Sequence, residues 1–107
     1  MMRVAALSLA GLPLERPGDY AAALTALVER LQVGLAVLPA HTSFLLCAGA
    51  GHLGETRDFA RCYKLFMQKA RDWNSEYLQL HSGLARRNGI YLVAGTTIEE
   101  VDGLFYH

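Results

Sequence analysis

The chain has 107 residues, 52% of them hydrophobic and 19% charged, with a formal net charge of zero. That length gives at most one domain, residues 1–107, in which folding buries roughly two-thirds of the surface exposed by the unfolded chain. The composition argues against a disordered chain, and the charge balance argues against electrostatic capture of nucleic acid.

Arg3 alone precedes the apolar run Val4-Ala5-Ala6-Leu7-Ser8-Leu9-Ala10. One basic residue and no small-x-small cleavage site favour a first buried strand, Arg3 to Leu9, over a secretory leader. Gly11 to Gly18, with Pro13 and Pro17, reads as the following loop. A helix is predicted next, with Asp19 as N-cap and Ala23, Leu24, Leu27, Val28 and Leu31 on its apolar side. Gly34 is expected to stop this helix and open the second strand, Leu35 to Leu38. The run Gly34 to Ala40 is continuously apolar and bounded by Gly and Pro, as in a strand covered on both faces. Ala40 to Thr56 shows no periodicity and is expected to be loop.

From Arg57 a helix is predicted, because Phe59, Cys62, Tyr63, Phe66, Met67 and Ala70 share one face. Asn74 or Ser75 is expected to cap a separate helix carrying Tyr77, Leu80, His81, Leu84 and Ala85, closed by Arg86, Arg87, Asn88 and Gly89. Ile90 to Ala94 reads as a third strand, Gly95 to Asp102 as a turn, and Leu104-Phe105-Tyr106 as the start of a fourth strand. The order β, α, β, α, α, β, β places the chain in the α/β class. No apolar stretch reaches the roughly eighteen residues of a spanning helix, so no membrane partner is expected. Cys47 and Cys62 form no recognisable disulfide framework, and a reducing cytoplasm is the expected location.

Three pieces carry a resemblance: Val4 to Ala10, Gly34-Leu35-Ala36-Val37-Leu38-Pro39, and Leu84-Ala85-Arg86-Arg87-Asn88-Gly89-Ile90-Tyr91-Leu92-Val93-Ala94-Gly95-Thr96. In this order and spacing, with Gly103 to Tyr106 after them, they resemble the N-terminal part of the carbon-nitrogen hydrolase family, the nitrilases and aliphatic amidases. No single piece is diagnostic; the ordered set carries the likeness. The resemblance implies part of an α-β-β-α sandwich of the nitrilase type. It also implies a Glu-Lys-Cys mechanism on a small amide or nitrile: thiolate attack on carbon, Glu as general base, and Lys against the developing charge.

The Glu belongs directly after the strand-ending Pro, and that position here is Ala40. The Lys and Cys belong to segments beyond Leu104 to Tyr106. By this likeness no catalytic residue is present, and losing the general base alone costs about 10²- to 10⁴-fold. His41, Thr42 and Ser43 follow the strand tip and are possible pocket residues, or else they end the strand by local hydrogen bonds. No cofactor and no metal is implied. Half a sandwich leaves strand edges and an apolar sheet face bare, which predicts a homo-oligomer or docking onto a missing C-terminal segment.

Other readings compete. A catalytically silent interaction module of the same fold is one. Gly49-Ala50-Gly51-His52-Leu53-Gly54 spells a dinucleotide-binding pattern after the apolar Phe44 to Ala48, which suggests a small nucleotide-binding domain. The acidic residue expected further on falls at Asp72 or Glu76, near a helix junction and not at a strand tip. Cys47, His52, Cys62 and His81 invite a zinc reading, but their spacing matches no common site. Cys47 with His41 or His52 as base could form a nucleophile pair, although a small buried thiol explains Cys47 equally well. Arg57, Arg61, Lys64, Lys69 and Arg71, interrupted by Asp58 and Asp72, read as a solvated helix face, and Trp73 and Tyr77 as packing.

Overall fold

Three short apolar runs, separated by helical segments, pair side by side into one parallel sheet. The computed structural model describes residues 2–54, 58–101 and 104–106. Its elements run β1 (Val4–Ala6), α1 (Pro17–Leu31), β2 (Leu35–Val37), α2 (Thr42–Gly49), α3 (Phe59–Asn88), β3 (Tyr91–Val93), β4 (Glu99–Val101) and β5 (Leu104–Tyr106). The chain is thus of the α/β class, with sheet order β1-β2-β3 and both pairings parallel. β4 and β5 form a separate antiparallel pair.

The register aligns Val4 with Leu35 and Tyr91, Ala5 with Ala36 and Leu92, and Ala6 with Val37 and Val93. Strand side chains alternate between faces, so the middle row points one way and the outer two rows the other. Ala36 is wholly buried in the core with Leu24 and Val28 of α1 and Tyr77 and Leu84 of α3. Val4, Tyr91 and Val93, on the opposite face, are exposed. The helices therefore cover one side of the sheet.

α1 begins with Pro17, whose fixed φ suits the first turn. Asp19 lies inside that turn, where its carboxylate meets the helix dipole, and Arg16 holds the N-cap position without a side-chain cap. The expected stop at Gly34 is made earlier, by Gln32 in the left-handed conformation at φ 52°, with its N–H 3.0 Å from Val28 O. Gly34 serves close packing instead: a Cβ there would lie 2.8 Å from Met2 Cγ.

Two stretches differ from expectation. Thr42–Gly49 is helix, not loop. Phe44, Leu45, Leu46, Cys47 and Ala48 are apolar all round, so no amphipathic stripe announced it. The two helices expected on either side of Asn74 are one helix of 30 residues. Asp58 caps it by accepting from the Ala60 N–H at 3.0 Å, and Gly89 ends it in the left-handed conformation. Asn74 caps no new helix: among the described residues its Oδ1 accepts no hydrogen bond, while its amide donates to Ile98 O at 2.5 Å. Within the predicted turn Gly95 to Asp102, Glu99–Val101 is strand. Arg57, Asp102, Gly103 and His107 lie outside the described residues. Among the described residues, no helix is long and apolar enough to cross a membrane.

Candidate functional site

In parallel α/β sheets the carboxyl ends of the strands gather ligands, so the exits of β2 and β3 are the first place to look. Leu38 extends β2 by donating its N–H to Val93 O at 2.9 Å. Beyond Pro39, Ala40 is exposed, and its carbonyl accepts two bonds from Thr96, from the N–H at 2.9 Å and from Oγ1 at 2.9 Å. Gly95 makes this closeness possible. At φ +76° it adopts a conformation that L side chains avoid, and a Cβ there would sit 2.6 Å from Pro39 O and 2.9 Å from Ala40 O. The two exits are thus fastened together, with the Ala40 methyl group at the tip of the central strand.

His41 is exposed and opens α2. Thr42 and Ser43 are wholly buried. The Thr42 hydroxyl donates back to Pro39 O at 2.7 Å, a local turn bond that tightens the passage from strand to helix. Ser43 accepts from Trp73 Nε1 through Oγ at 2.9 Å and through its carbonyl at 3.2 Å. Tyr77 donates to Ala94 O. Both hydroxyls after the strand tip are therefore engaged in holding α2 to β2 and α3. With Ala40 inert, His41 is the only titratable side chain from Pro39 to Ser43.

A second cluster lies at the far end of α2, where Cys47, His52, Lys69, Asp72, Trp73 and Glu76 line a cleft of about 120 Å³. Lys69, Asp72, Trp73 and Glu76 share one side of α3 by helical spacing. The cleft brings together Cys47 and His52, one of the pairs weighed as nucleophile and base, and leaves His41 elsewhere. Its chemistry is unfavourable. Burial pushes the Cys47 thiol up to about 11, against a smaller opposite pull from Lys69 and with a push from Glu76. At neutral pH the group is a protonated thiol, hence a weak nucleophile. In the sequence Lys69 and Asp72 belong to the basic, interrupted helix face expected to be solvated, and Glu76 enters only, with Asp72, as the acidic residue of the nucleotide pattern; their spacing along α3 is the one hint of a shared cleft.

The remaining candidates separate. His81 is buried in the core, where its Nε2 meets the Tyr20 hydroxyl at 2.8 Å and its Nδ1 meets Tyr77 O at 2.8 Å. Tyr20 was missed in the sequence, although it stands four residues before Leu24 on the same helical stripe. Among the described residues, no three His, Cys, Asp or Glu side chains come together where a metal could be held. Phe44 to Ala48, the apolar run before the glycine pattern, lies in α2, so the strand that dinucleotide binding requires is a helix. Gly49 is explained by packing: a Cβ there would lie 2.6 Å from Leu14 O. No family model, curated protein or solved structure matches this chain.

Proposed function

We propose that this chain is the N-terminal portion of a carbon-nitrogen hydrolase fold, part of an α-β-β-α sandwich, and that it has no hydrolytic activity of its own. The observation that carries the reading is the exposed exit of the central strand, where Ala40 stands at the position that a general-base Glu would occupy. An uncharged methyl group there cannot take a proton from a thiol or from water. The ordered motifs support the assignment by their positions: Val4 to Ala10 spans β1 and its exit, Gly34 to Pro39 spans β2, and Leu84 to Thr96 runs from the end of α3 through β3. Complete enzymes of this kind act on small amides or nitriles, and the reading includes a reducing cytoplasm, where Cys47 stays a thiol. No cofactor or metal enters the chemistry that the resemblance implies.

Two measurements test it. Incubated with short aliphatic amides and nitriles, the chain is expected to release no ammonia; turnover that disappears in Cys47→Ala would overturn the assignment of roles. Sequencing the reading frame past His107 is expected to reveal an in-frame Lys and Cys in later strands. In that longer polypeptide Ala40→Glu should raise amide hydrolysis by about 10²-fold or more. A second reading, a silent interaction module of the same fold, is favoured by the bare apolar face of the sheet, and a stop codon directly after His107 would select it.

A further inference from the structure

The cleft at the far end of α2 has no part in the hydrolase reading, and its walls are fixed by bonds of their own. The Trp73 indole is pinned by its two bonds to Ser43, and Cys47, four residues after Ser43 on α2, is wholly buried at the same cleft. His52 closes a further side: its N–H donates to Cys47 O at 3.2 Å, and its ring lies 5.4 Å from that of Trp73. The turn that brings it there passes through Gly51 at φ +84°, a left-handed conformation suited to glycine. The space of about 120 Å³ holds roughly four waters, so its occupant is small.

Three formal charges line the opening: Lys69, and beyond it along α3 Asp72 and Glu76. Lys69 and Glu76 both act on the Cys47 thiol, the ammonium lowering its pKa and the carboxylate raising it, so both side chains reach over the floor of the cleft. The thiol itself, pushed up to about 11 by burial, is uncharged at neutral pH. Among the described residues Lys69, Asp72 and Glu76 make no ion pair with one another. Asp72 and Glu76 stand four residues apart, where like charges repel, so the space between them favours a cation. Lys69, at the other end, favours an anion.

We propose that this cleft binds a small zwitterion, an α-amino acid of the size of glycine or alanine, with its carboxylate on Lys69 and its ammonium between Asp72 and Glu76. A simple cation would meet the repulsion of Lys69, and a simple anion that of two carboxylates. One molecule carrying both charges satisfies all three side chains. Lys69 and Glu76 start about 10 Å apart along the helix axis, and an α-amino acid with a charge-assisted hydrogen bond of about 2.8 Å at each end fills that span. Trp73 and Cys47, both buried, keep water from the floor, which strengthens both contacts. So few atoms limit the affinity to the millimolar range. The site does not rest on the hydrolase reading.

Titration calorimetry of the chain at neutral pH with glycine and with alanine tests the proposal, and Trp73 emission is a second, local readout. Saturable heat with millimolar dissociation is expected, with a saturable change in Trp73 emission over the same concentrations. Methylammonium and acetate, each carrying one of the two charges, should bind at least about tenfold more weakly. Leucine, too large for the space, should give no saturable heat. Lys69→Gln should weaken glycine at least about tenfold while strengthening methylammonium, and Glu76→Gln should weaken both. Lys69 and Glu76 are exposed, so both variants should keep the far-UV circular dichroism of the parent, and the ligand series stands without them. Absence of saturable heat with glycine and alanine at tens of millimolar would overturn the proposal. So would methylammonium binding as tightly as glycine, leucine binding as tightly as alanine, or a glycine affinity unchanged in folded Lys69→Gln and Glu76→Gln.

Discussion

His81 is the residue whose protonation state is most tightly specified. The carbonyl of Tyr77 can only accept, so Nδ1 carries the proton, and Nε2 is left to accept from the Tyr20 hydroxyl. The ring is neutral in this arrangement, and burial pulls its pKa below the ordinary value of 6.5, outweighing the opposite effect of the Tyr77 carbonyl. Burial also raises the phenols of Tyr20 and Tyr77, so neither ionises in the same window. The unfolded chain takes up a proton on this histidine more readily than the folded one. The stability linked to it is therefore complete above pH 6.5 and is lost as pH falls toward the lowered folded value. The urea midpoint should hold steady from pH 8 to 7 and decline below about pH 6.5; in His81→Leu that part of the decline should vanish. The burial of His81 was legible, because it falls on the apolar stripe of a helix. Its partner was not, because Tyr20 stands 61 positions away and no local pattern joins the two.

At the level of elements, α3 shows tertiary contacts overruling local preference. Asp72-Trp73-Asn74-Ser75-Glu76 contains poor helix formers and three residues that favour N-caps, so a break was the reasonable expectation. Trp73 is instead bonded to Ser43, Asn74 to Ile98 and Tyr77 to Ala94, and these bonds hold one short stretch of the helix to three different segments of the chain. Ser75 separates the two possibilities. If Asn74 capped a new helix, Ser75 would be its first residue, where proline is welcome. In a continuous helix, proline there removes an internal hydrogen bond and clashes with the preceding turn. Ser75→Pro should therefore cost about 3 kcal/mol or more, read from the urea midpoint at pH 7.5. α2 was illegible for the opposite reason. Its apolar residues surround the helix, and period is the signal by which a sequence announces a helix.

At the level of the whole molecule, the class and the parallel strand order follow from apolar runs separated by helical segments, since parallel neighbours need a crossover. The strand pattern alone does not say which faces are covered; only the resemblance, as half a sandwich, implied a bare one. A continuous apolar run implies two buried faces, yet Leu35 and Val37 point to the side that no described helix covers. The inert strand tip at Ala40 was legible from one position after Pro39, whereas its fastening to Thr96 depends on a contact between residues 56 positions apart.

The bond between Trp73 and Ser43 also supplies an optical handle. Trp73 is the chain's single tryptophan, 5% exposed, with its indole against α2 and its ring 5.4 Å from that of His52. Its fluorescence reports the seam between α2 and α3 without any label. Detachment of α2 should shift the emission maximum to the red as water reaches the ring, so one spectrum reports whether that helix is seated on α3.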